Sequence, residues 1–203
     1  MIKPMPADPN HNAPIYVSRA GLKLAAALDR FELDVGGLVC ADLGSNVGGF
    51  VDVLLQRGAA QVYAVETGYG VLAWKLRSDH RVVVMERTNA MHVDPPVAHL
   101  DLVTIDLAWT PQRHAIPAAL RWSPRRIITL IKPHYEASDR TDARGVLDDE
   151  QARRTLDATL AAMGELGVTL VDVMASPIRG GKGKGHTGNT EYLALLAADE
   201  APM

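Results

Sequence analysis

The chain is predicted to be an α/β protein built on a parallel, doubly wound sheet, and three observations predict it. Short apolar runs recur along the sequence, each closed by a charged residue. Segments of helical spacing lie between them, the alternation expected of parallel strands joined by crossover helices. The stretch from Val39 to Phe50, VCADLGSNVGGF, supplies the third observation, an apolar run that ends in a glycine turn and passes into a helix. Glycines at such a turn let the backbone take positive φ and come close to a ligand with no Cβ in the way.

At 203 residues and 47% hydrophobic, the chain has room for one domain with a substantial core, whereas two would be cramped. The net charge of −3 excludes a surface that is basic throughout, so any nucleic-acid contact falls to local basic patches. The single cysteine, Cys40, sits in a predicted buried strand. That excludes an internal disulfide or a cysteine metal site and points to a reducing cytoplasm. The amino terminus carries prolines and polar residues where a signal peptide needs an apolar run, and no stretch nears the roughly 20 apolar residues of a membrane span. A soluble, cytoplasmic protein with no membrane partner is expected.

Residues 1–15 read as a flexible arm, 16–197 as the folded domain and 198–203 as a tail. Ser18 is placed to cap a helix with Leu22, Ala25, Ala26 and Leu28 on its apolar face and with Arg19 and Lys23 together on another. The opening strand and its helix, ending near Gly58, are followed by a strand over Gln61 to Val65 closed by Glu66. A helix over Val71 to Leu76 and a strand over Arg81 to Met85 come next. The fourth strand, Leu100 to Ile105, ends at Asp106, and the fifth, Ile127 to Ile131, ends at Lys132. Pro133 to Gly145 reads as a surface loop. Asp148 and Asp149 lead into an amphipathic helix through about Leu166, with Leu156, Leu160 and Met163 on its apolar face. Val168 to Met174 is the sixth strand and Glu191 to Leu196 the last. Between them lies RGGKGKGHTGN, a loop that gathers Arg179, Lys182, Lys184 and His186.

Ligands of open α/β sheets bind at the carboxyl ends of the strands, so Glu66, Asp106 and Lys132 should converge on the rim that carries the glycine turn. Glu66 follows that turn by about twenty residues, where an acid can accept hydrogen bonds from ribose hydroxyls. The glycine spacing is G-x-x-x-G-G rather than the G-x-G-x-x-G of dinucleotide sites, which favours another adenosine-bearing ligand. Lys23, Asp106, Lys132 and Glu191 form a second candidate cluster, two cations and two anions from four segments. If they meet, each lysine has a carboxylate partner, and the array can orient and deprotonate a hydroxyl. Six scattered histidines, His80, His92, His99, His114, His134 and His186, show no metal-ligand spacing, and no metal is expected.

Six segments carry a family resemblance: YVSRAGLKL, DLGSNVGGF, QVYAVETGYGVLAWKLR, ERTNA, IKPHYE and GNTEYL. In order and spacing they closely resemble the catalytic domain of the TlyA-like haemolysin proteins, which belong to the FtsJ-like ribosomal RNA 2′-O-methyltransferases. The resemblance implies a Rossmann-like class I fold of seven strands, the last antiparallel, with helices on both faces. It implies S-adenosyl-L-methionine as cofactor, RNA as partner, ribosomal RNA or a ribosomal subunit in particular, and a catalytic tetrad that maps onto Lys23, Asp106, Lys132 and Glu191. In that mapping Lys132 activates a ribose 2′-hydroxyl, Asp106 positions it and the methyl group, and Lys23 and Glu191 fix the substrate and the charge balance. Asp42, Gly44, Ser45, Asn46, Gly48, Gly49 and Phe50 are expected around the methionine part of the cofactor, Glu66 and Thr67 at its ribose, and Asn89 near the adenine.

Three departures from the family stand out. Only about fifteen irregular residues precede Tyr16, where the family carries an RNA-binding module of the S4 type. The segment after Asp106 reads LAWTPQ in place of a Ser-Phe pair, so Trp109 either stacks on a base or packs. The loop before Glu191 is expanded with lysine and glycine. Arg19, Trp109, Arg179, Lys182 and Lys184 are the candidate RNA contacts. Two alternatives stay open, a methyltransferase of the same fold acting on a small molecule or other substrate, and a non-catalytic, cofactor-binding haemolysin-like protein.

Overall fold

Five parallel strands form the body of the sheet: β1 (Val39–Leu43), β2 (Gln61–Val65), β3 (Val82–Met85), β4 (Leu100–Ile105) and β5 (Pro124–Ile131). Two more, β6 (Val168–Ala175) and β7 (Tyr192–Ala198), complete it, and β7 inserts between β5 and β6 antiparallel to both. The order across the sheet is β3-β2-β1-β4-β5-β7-β6. The computed structural model describes residues 15–137, 146–180 and 188–199. The expected seven-stranded, mostly parallel sheet is therefore observed, with the expected reversed strand.

The inner strands β1, β2 and β4 are buried on both faces because helices cover both. Alternate residues of each strand point to opposite sides. Cys40, Val62, Leu102, Ile128 and Leu193 pack with α1 (Ala20–Arg30) and α2 (Gly49–Gln56) on one side. Their neighbours Ala41, Tyr63, Val103, Ile127 and Ala194 pack on the other side with α4 (Gln112–Leu120) and α6 (Asp149–Ala161). The short helices α3 (Trp74–Arg77) and α5 (Pro133–Glu136) lie in the connections between these layers. Trp122 is fully buried in the second layer, its ring 5.7 Å from that of Tyr63.

Several local expectations change in the folded chain. The residue that caps α1 is Arg19, with no side-chain hydrogen bond to the helix. Ser18 instead packs against Gly49, where a Cβ would fall 2.3 Å from its Oγ. The third helix begins at Trp74 rather than Val71, because the Glu86 carboxylate takes the backbone N–H groups of Gly70, Val71 and Leu72. Arg77 pairs with the same carboxylate, and it holds Glu86 at about 2, well below the usual carboxylate range, with the Gly70 N–H adding to the effect.

Helix α4 had no counterpart in the pattern, since Pro117 lies inside it and its apolar face is short. Part of the segment read as a surface loop forms α5, with Pro133 at its first position. Asp148 closes a capping box with Gln151 at the start of α6, and after Ala161 the chain tightens into a 3-10 turn over Met163–Leu166 ended by Gly167 at φ 79°. No helix among the described residues is long and apolar enough to cross a membrane.

Candidate active site

The glycine turn after β1 is held by its own backbone. The N–H groups of Gly44 and Ser45 both donate to the Val65 carbonyl at the end of β2, each at 3.0 Å. Gly44 stands at φ 89°, and a Cβ there would lie 2.7 Å from the carbonyl oxygen of Asp106, so this turn tolerates only glycine beside the end of β4. Gly48, at φ 99°, opens α2 against Leu76 and Leu72.

In front of the turn is a cleft of about 270 Å³, with Arg19, Asp42, Ser45, Asn46, Phe50 and Asp106 among its walls. Ser45 is 4% exposed, and its Oγ has no hydrogen-bond partner. A buried hydroxyl left open in a cleft wall can exchange a hydrogen bond with a polar ligand.

Glu66 ties the end of β2 to this turn. Its Oε2 accepts from the Asn46 N–H at 2.9 Å, and its Oε1 accepts from the Gly68 N–H at 2.8 Å and the Thr67 hydroxyl at 3.0 Å. Thr67 and Asn89 are exposed, and the Asn89 side chain closes a turn by accepting from the Met91 N–H at 2.9 Å. Asp42 is 1% exposed and accepts from the Thr104 hydroxyl at 2.7 Å. Burial pushes it up to about 7; the Thr104 hydrogen bond opposes the rise, and the nearby charges of Asp106 and Glu66 add to it.

The four candidate charges form two ion pairs. Lys132 Nζ lies 2.6 Å from Asp106 Oδ1 and donates to the Leu107 carbonyl at 3.0 Å. Lys23 pairs with Glu191, and the two residues are 8% and 4% exposed. The reversal of β7 explains why Glu191 belongs to this rim. Ile131 pairs with Tyr192, so Lys132, one residue later, and Glu191, one residue earlier, leave adjacent strands at the same end. Glu191 thus precedes the last strand, which runs over Tyr192–Ala198 rather than Glu191 to Leu196.

One feature of this site, Gly180, escaped the sequence pattern. Gly180 donates its N–H to the Asn189 carbonyl at 2.9 Å, and a Cβ on it would fall 2.0 Å from Glu191 Oε1. This glycine seals the buried pair, although in sequence it belongs to a run of loop glycines. Trp109 is 68% exposed and adopts φ 57°, a region costly for any residue but glycine, by roughly 1–3 kcal/mol. Its ring lies 4.9 Å from that of Tyr135, which in turn neighbours His134 at 4.1 Å and Lys132 Nζ at 5.7 Å.

Of the other candidate contacts, Arg19 is in the cleft wall. Arg179 is engaged with the Asp149 carboxylate at 3.0 and 3.2 Å, an anchor between α6 and the loop before β7. Lys182, Lys184 and His186 lie outside the described residues. Among the described residues no group of three or more His, Cys, Asp or Glu side chains could hold a metal ion.

The family described as FtsJ-like methyltransferase matches residues 16–194. Over 187 residues the chain is 42% identical to the 16S/23S rRNA (cytidine-2′-O)-methyltransferase TlyA of Mycobacterium tuberculosis strain H37Rv, spanning 89% of this chain and 68% of that protein. The crystal structure of a Lactococcus lactis protein superposes with a TM-score of 0.84 at 37% identity, over 92% of this chain and 90% of that one. An S-adenosylmethionine-dependent methyltransferase of Mesorhizobium loti shares the fold, with a TM-score of 0.61 at 16% identity over 85% of this chain and 96% of that one. The family match runs from the entry to α1 into β7 and takes in the glycine turn and both ion pairs, and the chain therefore belongs to the FtsJ-like methyltransferases.

Proposed function

We propose that the protein is a cytoplasmic S-adenosyl-L-methionine-dependent methyltransferase that acts on a ribose 2′-hydroxyl of ribosomal RNA. The observation that carries this reading is the Lys132–Asp106 pair, set on the carboxyl rim of the sheet with Asp106 in the wall of the cleft. The likeness to a ribosomal RNA cytidine-2′-O-methyltransferase supports the substrate class.

The residues present fit the cofactor. The open Ser45 hydroxyl and the first turn of α2 would offer donors to its carboxylate, Asp42 and Asp106 would offer negative charge to its cationic part, and Glu66, tied to the same turn through the Asn46 N–H, would take its ribose hydroxyls. Glu66 would exchange an existing hydrogen bond, from Thr67 or a backbone N–H, for those of the ribose.

When bound, the cofactor supplies an electrophilic methyl group. The chain's part is then to bring a weak nucleophile in line and to accept its proton. Asp106 and Lys132 would hold the ribose oxygen, and the proton would pass to this pair as the new C–O bond forms. The Leu107 carbonyl aims the lysine, and the buried Lys23–Glu191 pair fixes the amino end of β7 beside it. Trp109, exposed and braced by Tyr135, would give the target base a stacking surface next to the lysine.

The test is incubation with methyl-labelled S-adenosylmethionine and ribosomal RNA, free and in subunits, followed by mapping of the modified nucleotides. Label at a ribose 2′-oxygen is expected. Cofactor binding with no transfer to any RNA would overturn the substrate, and calorimetry showing no binding would overturn the whole reading. Trp109→Ala is expected to lower kcat/KM for RNA by about 5- to 150-fold, the worth of roughly 1–3 kcal/mol of stacking, with cofactor affinity unchanged. Undiminished transfer by that variant would assign Trp109 to packing alone.

A further inference from the structure

Asp42, offered above to the cationic part of the cofactor, is a buried carboxyl with no part in the proton transfer from the substrate. It stands on β1 between β2 and β4, its partners in register being Ala64 and Thr104. One side of it is wall of the cleft, and the rest is interior.

The groups facing it from each packed element can be named. From β4 come the Thr104 hydroxyl, donating at 2.7 Å, and the Asp106 carboxylate, itself paired with Lys132 from β5. From the end of β2 comes Glu66, and from its own strand Cys40, a thiol that burial pushes up to about 12 and that stays neutral. Arg19, at the entry to α1, shares the cleft wall, while Asp52 on α2 is turned to Lys75 at 2.9 Å. Both charges that act on Asp42 most directly, Asp106 and Glu66, are negative.

A site with this charge distribution prefers a cation. The methyl donor of the proposed reaction carries a sulfonium charge, whereas its demethylated product is a neutral thioether with the same amino and carboxylate groups. We propose that Asp42 is a specificity-determining residue that lets the cleft favour the sulfonium donor over the thioether product, releasing its proton to solvent when the donor binds and recovering one when the product is formed and leaves. This rests on the methyltransferase reading.

The protons balance over a cycle. One leaves Asp42 on donor binding, one leaves the substrate hydroxyl in the transfer, and one returns to Asp42, so that one is released per methyl group moved. Asp42 is held near 7 in the free protein, so it is mostly protonated at pH 6 and mostly ionised at pH 8.5. The proton released on donor binding is thus expected to approach one at pH 6 and to vanish at pH 8.5.

The experiment is calorimetric titration of the whole chain with S-adenosylmethionine and with S-adenosylhomocysteine, in two buffers of different ionisation enthalpy, at pH 6 and pH 8.5. Donor affinity should rise with pH below 7, by at most about tenfold per unit, and then level off. Product affinity should change far less, so the preference for the donor grows over this interval. Asp42→Asn should abolish the extra proton and flatten the donor's pH dependence. Thr104→Val, which removes the opposing hydroxyl, should move the release to higher pH, and it serves as a second variant should the asparagine chain fail to fold.

Equal proton counts for the two ligands with the wild-type chain would overturn the proposal, as would a pH profile unmoved by Thr104→Val. Absence of heat with both ligands is a different outcome, since it removes the methyltransferase reading itself.

Discussion

Lys132→Ala is expected to lower the rate of methyl transfer by about 10²- to 10⁴-fold, the usual worth of a positioned group in proton transfer, while cofactor affinity stays unchanged. The lysine is paired with Asp106 and aimed by the Leu107 carbonyl. The Asp106 carboxylate is already 22% exposed with the lysine in place, so water can solvate it once the lysine is gone, and the loss should appear in kcat rather than in folding. Single-turnover transfer and calorimetric titration of the same variant separate the two. Parallel losses of transfer and cofactor binding would mean that Lys132 shapes the cleft and does not serve the substrate.

The Lys23–Glu191 pair should behave in the opposite way. Both side chains are almost completely buried, at 10% and 4% exposure, and Gly180 closes over the carboxylate. Removing either partner strands the other charge away from water, which typically costs about 3–5 kcal/mol. For a chain of this size, that loss lowers Tm by about 6–20 °C. Glu191→Ala and Lys23→Ala are each expected to show it in a thermal melt. The double replacement Lys23→Met with Glu191→Leu should recover much of the stability, because neither charge then remains. A single variant that melts like the parent yet transfers no methyl would assign the pair to chemistry instead.

The buried acid Asp42 adds a pH signature to folding as well as to binding. Its carboxyl is raised in the folded chain relative to the ordinary value of 3.8 in the unfolded one, so folding retains a proton that the unfolded chain gives up. Its contribution to stability is full below that value and is lost as pH rises through about 7. Protonated Asp42 is therefore a favourable state of the empty cleft at mildly acid pH, which is the condition the cycle of proton release requires.

Much of this architecture is legible along the chain. The strands over Val39–Leu43, Gln61–Val65 and Leu100–Ile105 coincide with the apolar runs that predict them, because a strand buried on both faces is apolar throughout and stops where a charge meets solvent at the rim. The charges at those stops, Glu66, Asp106 and Lys132, reach the same rim because parallel strands end together. What is less legible depends on partners distant in sequence. The start of α3 is set by Glu86, more than ten residues away, and α4 forms around Pro117 because its face is buried beneath the sheet.

The amino-acid sequence alone determines which residues can supply chemistry, since strand periodicity, the glycine turn and the charge at each strand end are local patterns that fold into place wherever the sheet forms. The tertiary structure alone decides who pairs with whom. Insertion of the reversed β7 between β5 and β6 brings Glu191 to the rim from the far end of the chain, next to Lys23. Closure of the sheet around β1 takes Asp42 out of water and sets it beside two other carboxylates. Both outcomes depend on strand order and burial, which arise from contacts between segments tens of residues apart and leave no trace in any one of them.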